Sequence, residues 1–151
     1  QAQEEAGAAA VQLFDTWAGA LSTEDFVQFA LPASRRSLSY VVDAPTLFFT
    51  RDSGTFLPLL PEIGSSAIAI DWRIEMKYAR KMLGAIPVQG NLDPIALHAP
   101  EPIIRQKVRE IIQQAGPKGH VFNLGHGCIP TTPISGVATV IDEIQRWSWE
   151  K

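Results

Sequence analysis

Five short apolar runs recur along the chain: VQLFD (11–15), TLFFT (46–50), AIAID (67–71), IPVQG (86–90) and HVFNL (120–124). They are apolar throughout rather than alternating with polar residues, which is how strands read when both faces of a sheet are covered. Each is followed by a stretch with helical spacing or helix punctuation. After the first run, Ser22 is placed to cap a helix, with Asp25 at capping-box distance. The helix EDFVQFALPASRR (24–36) is then expected to carry Phe26, Phe29 and Ala30 on one face. FLPLLPEIG (56–64) occupies a helical slot, but Pro58 and Pro61 would interrupt regular α bonding. IEMKYARKML (74–83) reads as a helix closed by Gly84. In PEPIIRQKVREIIQQAG (100–116), Ile104, Val108, Ile111 and Ala115 recur at helical spacing before Gly116-Pro117 stops the pattern. A last helix begins near Pro133 and runs through Val137, Val140, Ile141 and Ile144.

Strand–helix repetition of this kind predicts an α/β fold with a parallel sheet. Two architectures compete: an open doubly wound sheet, and part of a (β/α)8 barrel. A complete barrel needs eight strands and about 250 residues, more than 151 residues provide. The first turn lacks the G-x-G-x-x-G phosphate loop, so a dinucleotide fold has no positive support.

Composition narrows the function classes. With 46% hydrophobic and 19% charged residues the chain should fold as one domain. A net charge of −3 without a basic run argues against nucleic acid or an anionic membrane as partner. No apolar stretch nears the roughly 20 residues of a membrane span. The opening QAQEEAGAAA has no basic n-region and no starting Met, so a processed chain, or a piece of a longer one, is expected rather than a signal peptide. One cysteine, Cys128, fits a reducing, cytoplasmic setting and leaves no pair for a disulfide or a multi-cysteine metal site.

Polar residues collect just after the strands: Asp15-Thr16-Trp17, Arg51-Asp52, Asp71-Trp72, the segment Gln89 to Pro94, and Gly125-His126-Gly127. In βα architectures this carboxyl rim is the functional one. Four of these strand ends carry motifs, FDTWAG, AIAIDW, QGNLDP and FNLGHGCIPTTP, whose order and spacing resemble the uroporphyrinogen decarboxylase family. That family's stretches read FDSWAG, GLDW, QGNLDP and NLGHG-x-x-P. The resemblance runs from about Glu5 to the end and implies a distorted (β/α)8 barrel acting as a homodimer without metal or cofactor. The activity implied is removal of the carboxyl groups of four acetate side chains of uroporphyrinogen III, giving coproporphyrinogen III for haem and chlorophyll synthesis. The implied compartment is the cytoplasm, or the plastid stroma in a photosynthetic eukaryote.

The match covers only about five βα units, like the carboxy-terminal part of the family's barrel. The family's arginine-rich loop, which holds substrate carboxylates, and its pyrrole-coordinating aspartate have no counterpart here. The chain is thus expected to expose strand edges and an open face, and to aggregate or pair with a complementary barrel half or a second copy.

By resemblance, the porphyrinogen-binding residues are His126, Thr16 and Phe14. His126 would meet a substrate carboxylate; imidazole titrates near neutrality and can donate a hydrogen bond or carry charge. Thr16 stands where the family has Ser, keeping the hydroxyl and adding a methyl group. Phe14, on the same side of the strand, would form an apolar wall. Asp71, Asp93, Gln89 and Asn91 are read as caps, turns and ties between loops, and Asp15 as facing the helices. Trp17 and Trp72 are expected to pack under rim loops, and His98 and His120 to be surface or turn residues. Cys128 is read as an ordinary thiol. Two other functions compete: a catalytically inactive half-barrel serving as a structural or partner-binding subunit, and a zinc-dependent corrinoid methyltransferase relative. The single cysteine and the QGNLDP and NLGHG motifs weigh against the second.

Overall fold

The computed structural model describes residues 1–149. After a helical turn, α1 (Ala2–Glu5), strands β1 (Val11–Phe14), β2 (Thr46–Phe49), β3 (Ala67–Ala69), β4 (Val88–Leu92) and β5 (His120–Leu124) form one parallel sheet. Their spatial order is their sequence order, β1-β2-β3-β4-β5. This decides between the two architectures. A doubly wound sheet reverses its strand order at a switch point, whereas a barrel winds in one direction. The chain is a segment of a (β/α)8 barrel, and among the described residues the sheet does not close.

The connecting helices lie on one face. The first comprises α2 (Thr23–Asp25), a π-helical turn (Phe26–Ala30) and α3 (Leu31–Leu38). Ser22 caps it through its Oγ, which accepts the Asp25 amide at 3.0 Å. The π turn changes which residues share a face. Leu31 N–H bonds to Phe26 O, five residues back, so Phe26 and Leu31 are both buried while Phe29 swings out to 59% exposure. The proline-rich stretch forms a 3-10 helix, Leu57–Ile63, with Pro58 in its first turn and Gly64 left-handed at its end. Then come α4 (Met76–Leu83), α5 (Glu101–Ala115) and α6 (Ile134–Arg146), with a 3-10 turn at Pro94–His98 before α5. Ile141, expected on the apolar face of α6, is half exposed; Val140 takes the buried position.

The core fills the space between sheet and helices in two parts. Under α2 to α4, Phe26 stacks on Phe56 with ring centroids 4.5 Å apart, beside Phe48, Leu57, Ile68 and Ile70. Under α5 and α6, Leu92, Leu97, Ile104, Val108 and Val140 pack together. An ion-pair network joins these two helices. Arg105 contacts Glu101 and Asp142 (both 2.7 Å) and Glu143 (2.9 Å), and Arg109 contacts Glu143 at 2.5 Å. Glu143 is buried, and the Arg109 guanidinium above all holds its carboxyl below the usual glutamate range.

The opposite sheet face, which would be the barrel interior, is left open. Phe14 on β1 is 65% exposed and Val121 on β5 is 51% exposed. Both strands have a free edge among the described residues. Among the described residues, no helix is long and apolar enough to cross a membrane.

Candidate functional site

The carboxyl ends of the strands are tied together before any ligand enters. Asp71, fully buried, accepts the Asp52 amide on one oxygen (2.5 Å) and the Arg73 amide on the other (2.7 Å). Asn91 donates to the carbonyls of Asp71 (2.8 Å) and Ile74 (2.5 Å). Asp93 caps the next turn by accepting the Ile95 amide at 2.9 Å, and Asp15 accepts the Ala18 amide at 3.1 Å. These bonds fix the loops after β1 to β4.

Gly125 brings the β5 loop against this frame. A Cβ there would lie 2.3 Å from the Trp72 amide nitrogen and 2.9 Å from the Asp71 carbonyl carbon, so only glycine permits the approach. Gly127 is different: an added Cβ would meet nothing within 4 Å. Its contribution is the backbone. The Gly127 N–H donates to His126 Nδ1 at 2.8 Å. With Nδ1 accepting, Nε2 is the ring nitrogen left to donate. The ring is edge-on to Phe49 and to Trp72, each at 6.2 Å.

A cleft of about 360 Å³ opens beside this ring on the uncovered sheet face, lined by Gln12, Phe14, Thr16, Phe49, Gln89 and His126 among others. Phe14, Thr16 and His126 therefore border one space, although more than a hundred residues separate the last two in sequence. Thr16 is half-buried, and its hydroxyl has no hydrogen-bond partner among the described residues. Phe14 packs on Phe49 at 5.7 Å. Gln89 donates to Gln12 at 3.2 Å across the cleft floor. Sequence reasoning passed over Gln12 and Phe49. The signal for Gln12 was present: a polar residue two places before Phe14 shares its strand face. Cys128 is exposed and lines the same cleft.

Other side chains depart from expectation. Trp17 is 73% exposed, with Arg51 lying 5.5 Å over its ring instead of a rim loop. Of the turn it opens, Ala18–Ala20, only Ala18 is buried, so the indole stays outside. His120 is half-buried at the start of β5, its Nε2 2.7 Å from the Gly90 carbonyl; burial lowers its pKa against the pull of that carbonyl. Among the described residues, no three His, Cys, Asp or Glu side chains converge as a metal site would require.

The chain matches the family model for uroporphyrinogen decarboxylase over residues 1–147. It is 40% identical to the uroporphyrinogen decarboxylase of Trichlorobacter lovleyi, covering 97% of this chain and 44% of that protein. It is 42% identical to that of Carboxydothermus hydrogenoformans, over 100% and 45%, and 42% identical to that of Syntrophotalea carbinolica, over 97% and 44%. The chain thus spans less than half the length of these relatives. With the one-directional strand order and the matched motifs at the strand ends, these similarities show that the chain belongs to the uroporphyrinogen decarboxylase family.

Proposed function

We propose that this chain forms one side of a decarboxylase cleft that takes uroporphyrinogen and removes carboxyl groups from its acetate arms, ending at coproporphyrinogen. One observation carries this reading. A ring N–H donor (His126), a hydroxyl without a partner among the described residues (Thr16) and an apolar wall (Phe14 on Phe49) border a single open cleft. A macrocycle bearing eight carboxylates needs donors around an apolar seat. His126 and Thr16 bind and orient carboxylates, and Phe14 lies along the macrocycle.

Decarboxylation also needs an electron sink, a protonated pyrrole, and a carboxylate to stabilise that cation. The rim carboxylates named above are already engaged. Asp71, Asp93 and Asp15 accept backbone amides, and Asp52 bridges two arginines. The stabilising carboxylate is therefore assigned to a complementary barrel half, and pairing with such a half or with a second copy closes the open face. The expected compartment is the cytoplasm. The uncovered sheet face also suits the second reading, an inactive half-barrel that binds a partner.

The test uses the chain mixed with the amino-terminal portion of a relative, with product formation followed by chromatography of the oxidised porphyrins. His126→Asn should lower the rate. In the chain alone, uroporphyrin should shield Cys128, the one cysteine, from a thiol reagent. An unchanged rate in the variant together with unshielded labelling would sink the proposal.

A further inference from the structure

We infer that Arg51 is a second carboxylate-binding residue of this site, on the far side of the His126 ring from the main cleft. The inference rests on the porphyrinogen reading above. A smaller recess of about 160 Å³ opens there, lined by Arg51, Trp72, Asp93, Ile95, His126 and Ile129 among others. His126 and Gly127 border both spaces, so the imidazole is their shared wall.

Arg51 follows β2, and its guanidinium is held in a defined pose. Its Cζ lies over the Trp17 ring, 5.5 Å from the centroid, and its Nε donates to Asp52 at 3.1 Å. Among the described residues its two terminal nitrogens have no hydrogen-bond partner. That free edge has the geometry to take a carboxylate, and a pre-positioned fork loses less freedom in doing so than a mobile lysine. The neighbouring charges leave the edge available. Asp52 divides its carboxylate between Arg51 and Arg73, with Arg73 at 2.5 Å. Asp71 is buried against backbone amides, although one oxygen lies 4.0 Å from Arg73. Asp93 lines the recess but turns one oxygen to the Ile95 amide. Trp72, Ile95 and Ile129 supply the apolar sides that the methylenes of an acetate or propionate arm would contact.

The test is binding of uroporphyrin, the stable oxidised octacarboxylate, followed by quenching of tryptophan fluorescence at low and moderate salt. Arg51→Gln should weaken binding about tenfold, the loss expected for one charge-assisted contact, and should make affinity less sensitive to salt. Arg51→Lys should restore part of the affinity, and the melting temperature should hold in both variants. Unchanged binding in Arg51→Gln with weakened binding in His126→Asn would overturn the role of Arg51 and leave the cleft reading standing. Unchanged binding in both would overturn the two together. A loss in Arg51→Gln with the wild-type salt response would mark Arg51 as structural and also overturn the inference.

Discussion

Replacing Gly125 by alanine should damage the β5 loop, whereas the same change at Gly127, two residues on, should not. The new methyl at position 125 would sit 2.3 Å from the Trp72 nitrogen, 2.9 Å from the Asp71 carbonyl carbon and 3.0 Å from the Trp72 Cα. Non-bonded carbon contacts are comfortable at about 3.5–4.0 Å. The two backbones must therefore separate by roughly an ångström at the point where Asp71 ties the loops together. Forced overpacking of this kind costs about 1–3 kcal/mol. For a chain of this size, 2 kcal/mol lowers the melting temperature by about 4–8 °C. At Gly127 the added methyl meets nothing, and the amide that bonds His126 Nδ1 is kept. Thermal melts followed by circular dichroism compare the two variants directly, and uroporphyrin binding reports on the His126 ring. If Gly125→Ala melts with the wild type, or Gly127→Ala melts lower than Gly125→Ala, the close approach of Gly125 to the Asp71-Trp72 backbone is not what positions the loop.

The remaining expectations concern the core, acid stability and association. Phe26→Ala removes a fully buried ring stacked on Phe56 and should cost about 3–5 kcal/mol in urea denaturation; a loss below about 1 kcal/mol would mean that the site collapses around the gap. Glu143 has a lowered folded pKa, so the unfolded chain binds its proton first, and its contribution to stability is present above the ordinary glutamate value of about 4.3 and lost as pH falls through the lowered one. Glu143→Gln should therefore be less stable at pH 7 and decline less steeply into acid, and a wild-type slope in the variant would disprove the assignment. On size-exclusion chromatography the chain alone should elute larger than a monomer, because Phe14, Val121 and two strand edges are open; a well-behaved monomer would count against that reading.

The strand positions were legible because apolar runs between helical segments leave few alternatives. Their one-directional order does not follow from periodicity, which says which residues face inward and not which strand lies beside which; it came through the strand-end motifs, whose resemblance implied a barrel, and the strand order agrees. The π turn escaped a reading based on 3.6-residue spacing, and this misplaced Phe29. In the proline-rich segment the local rule was right that no regular α-helix forms, but it could not name the 3-10 helix that does. At the site, Thr16 and His126 stood out through motifs at strand ends. The bond from Gly127 to Nδ1 and the reason for Gly125 were invisible, because both depend on how one loop's backbone meets another's. Glycines on either side of a rim histidine would ordinarily read as room for a ligand to approach. For Gly125, the neighbour that needs the room is the protein's own chain.

The strand order has a consequence for how such a barrel is made. Each strand after the first pairs with the one just before it in sequence, so each strand-to-strand closure spans a single βα unit and none waits for a strand at the other end of the chain. This segment can therefore zip up progressively, unit by unit, without waiting for a distant partner. The long-range step that remains is sealing a seam, where the outer edges of β1 and β5 meet the strands that complete the cylinder. Assembly from two pre-organised halves then differs from the folding of one continuous chain mainly in that last encounter, which becomes bimolecular and dependent on concentration.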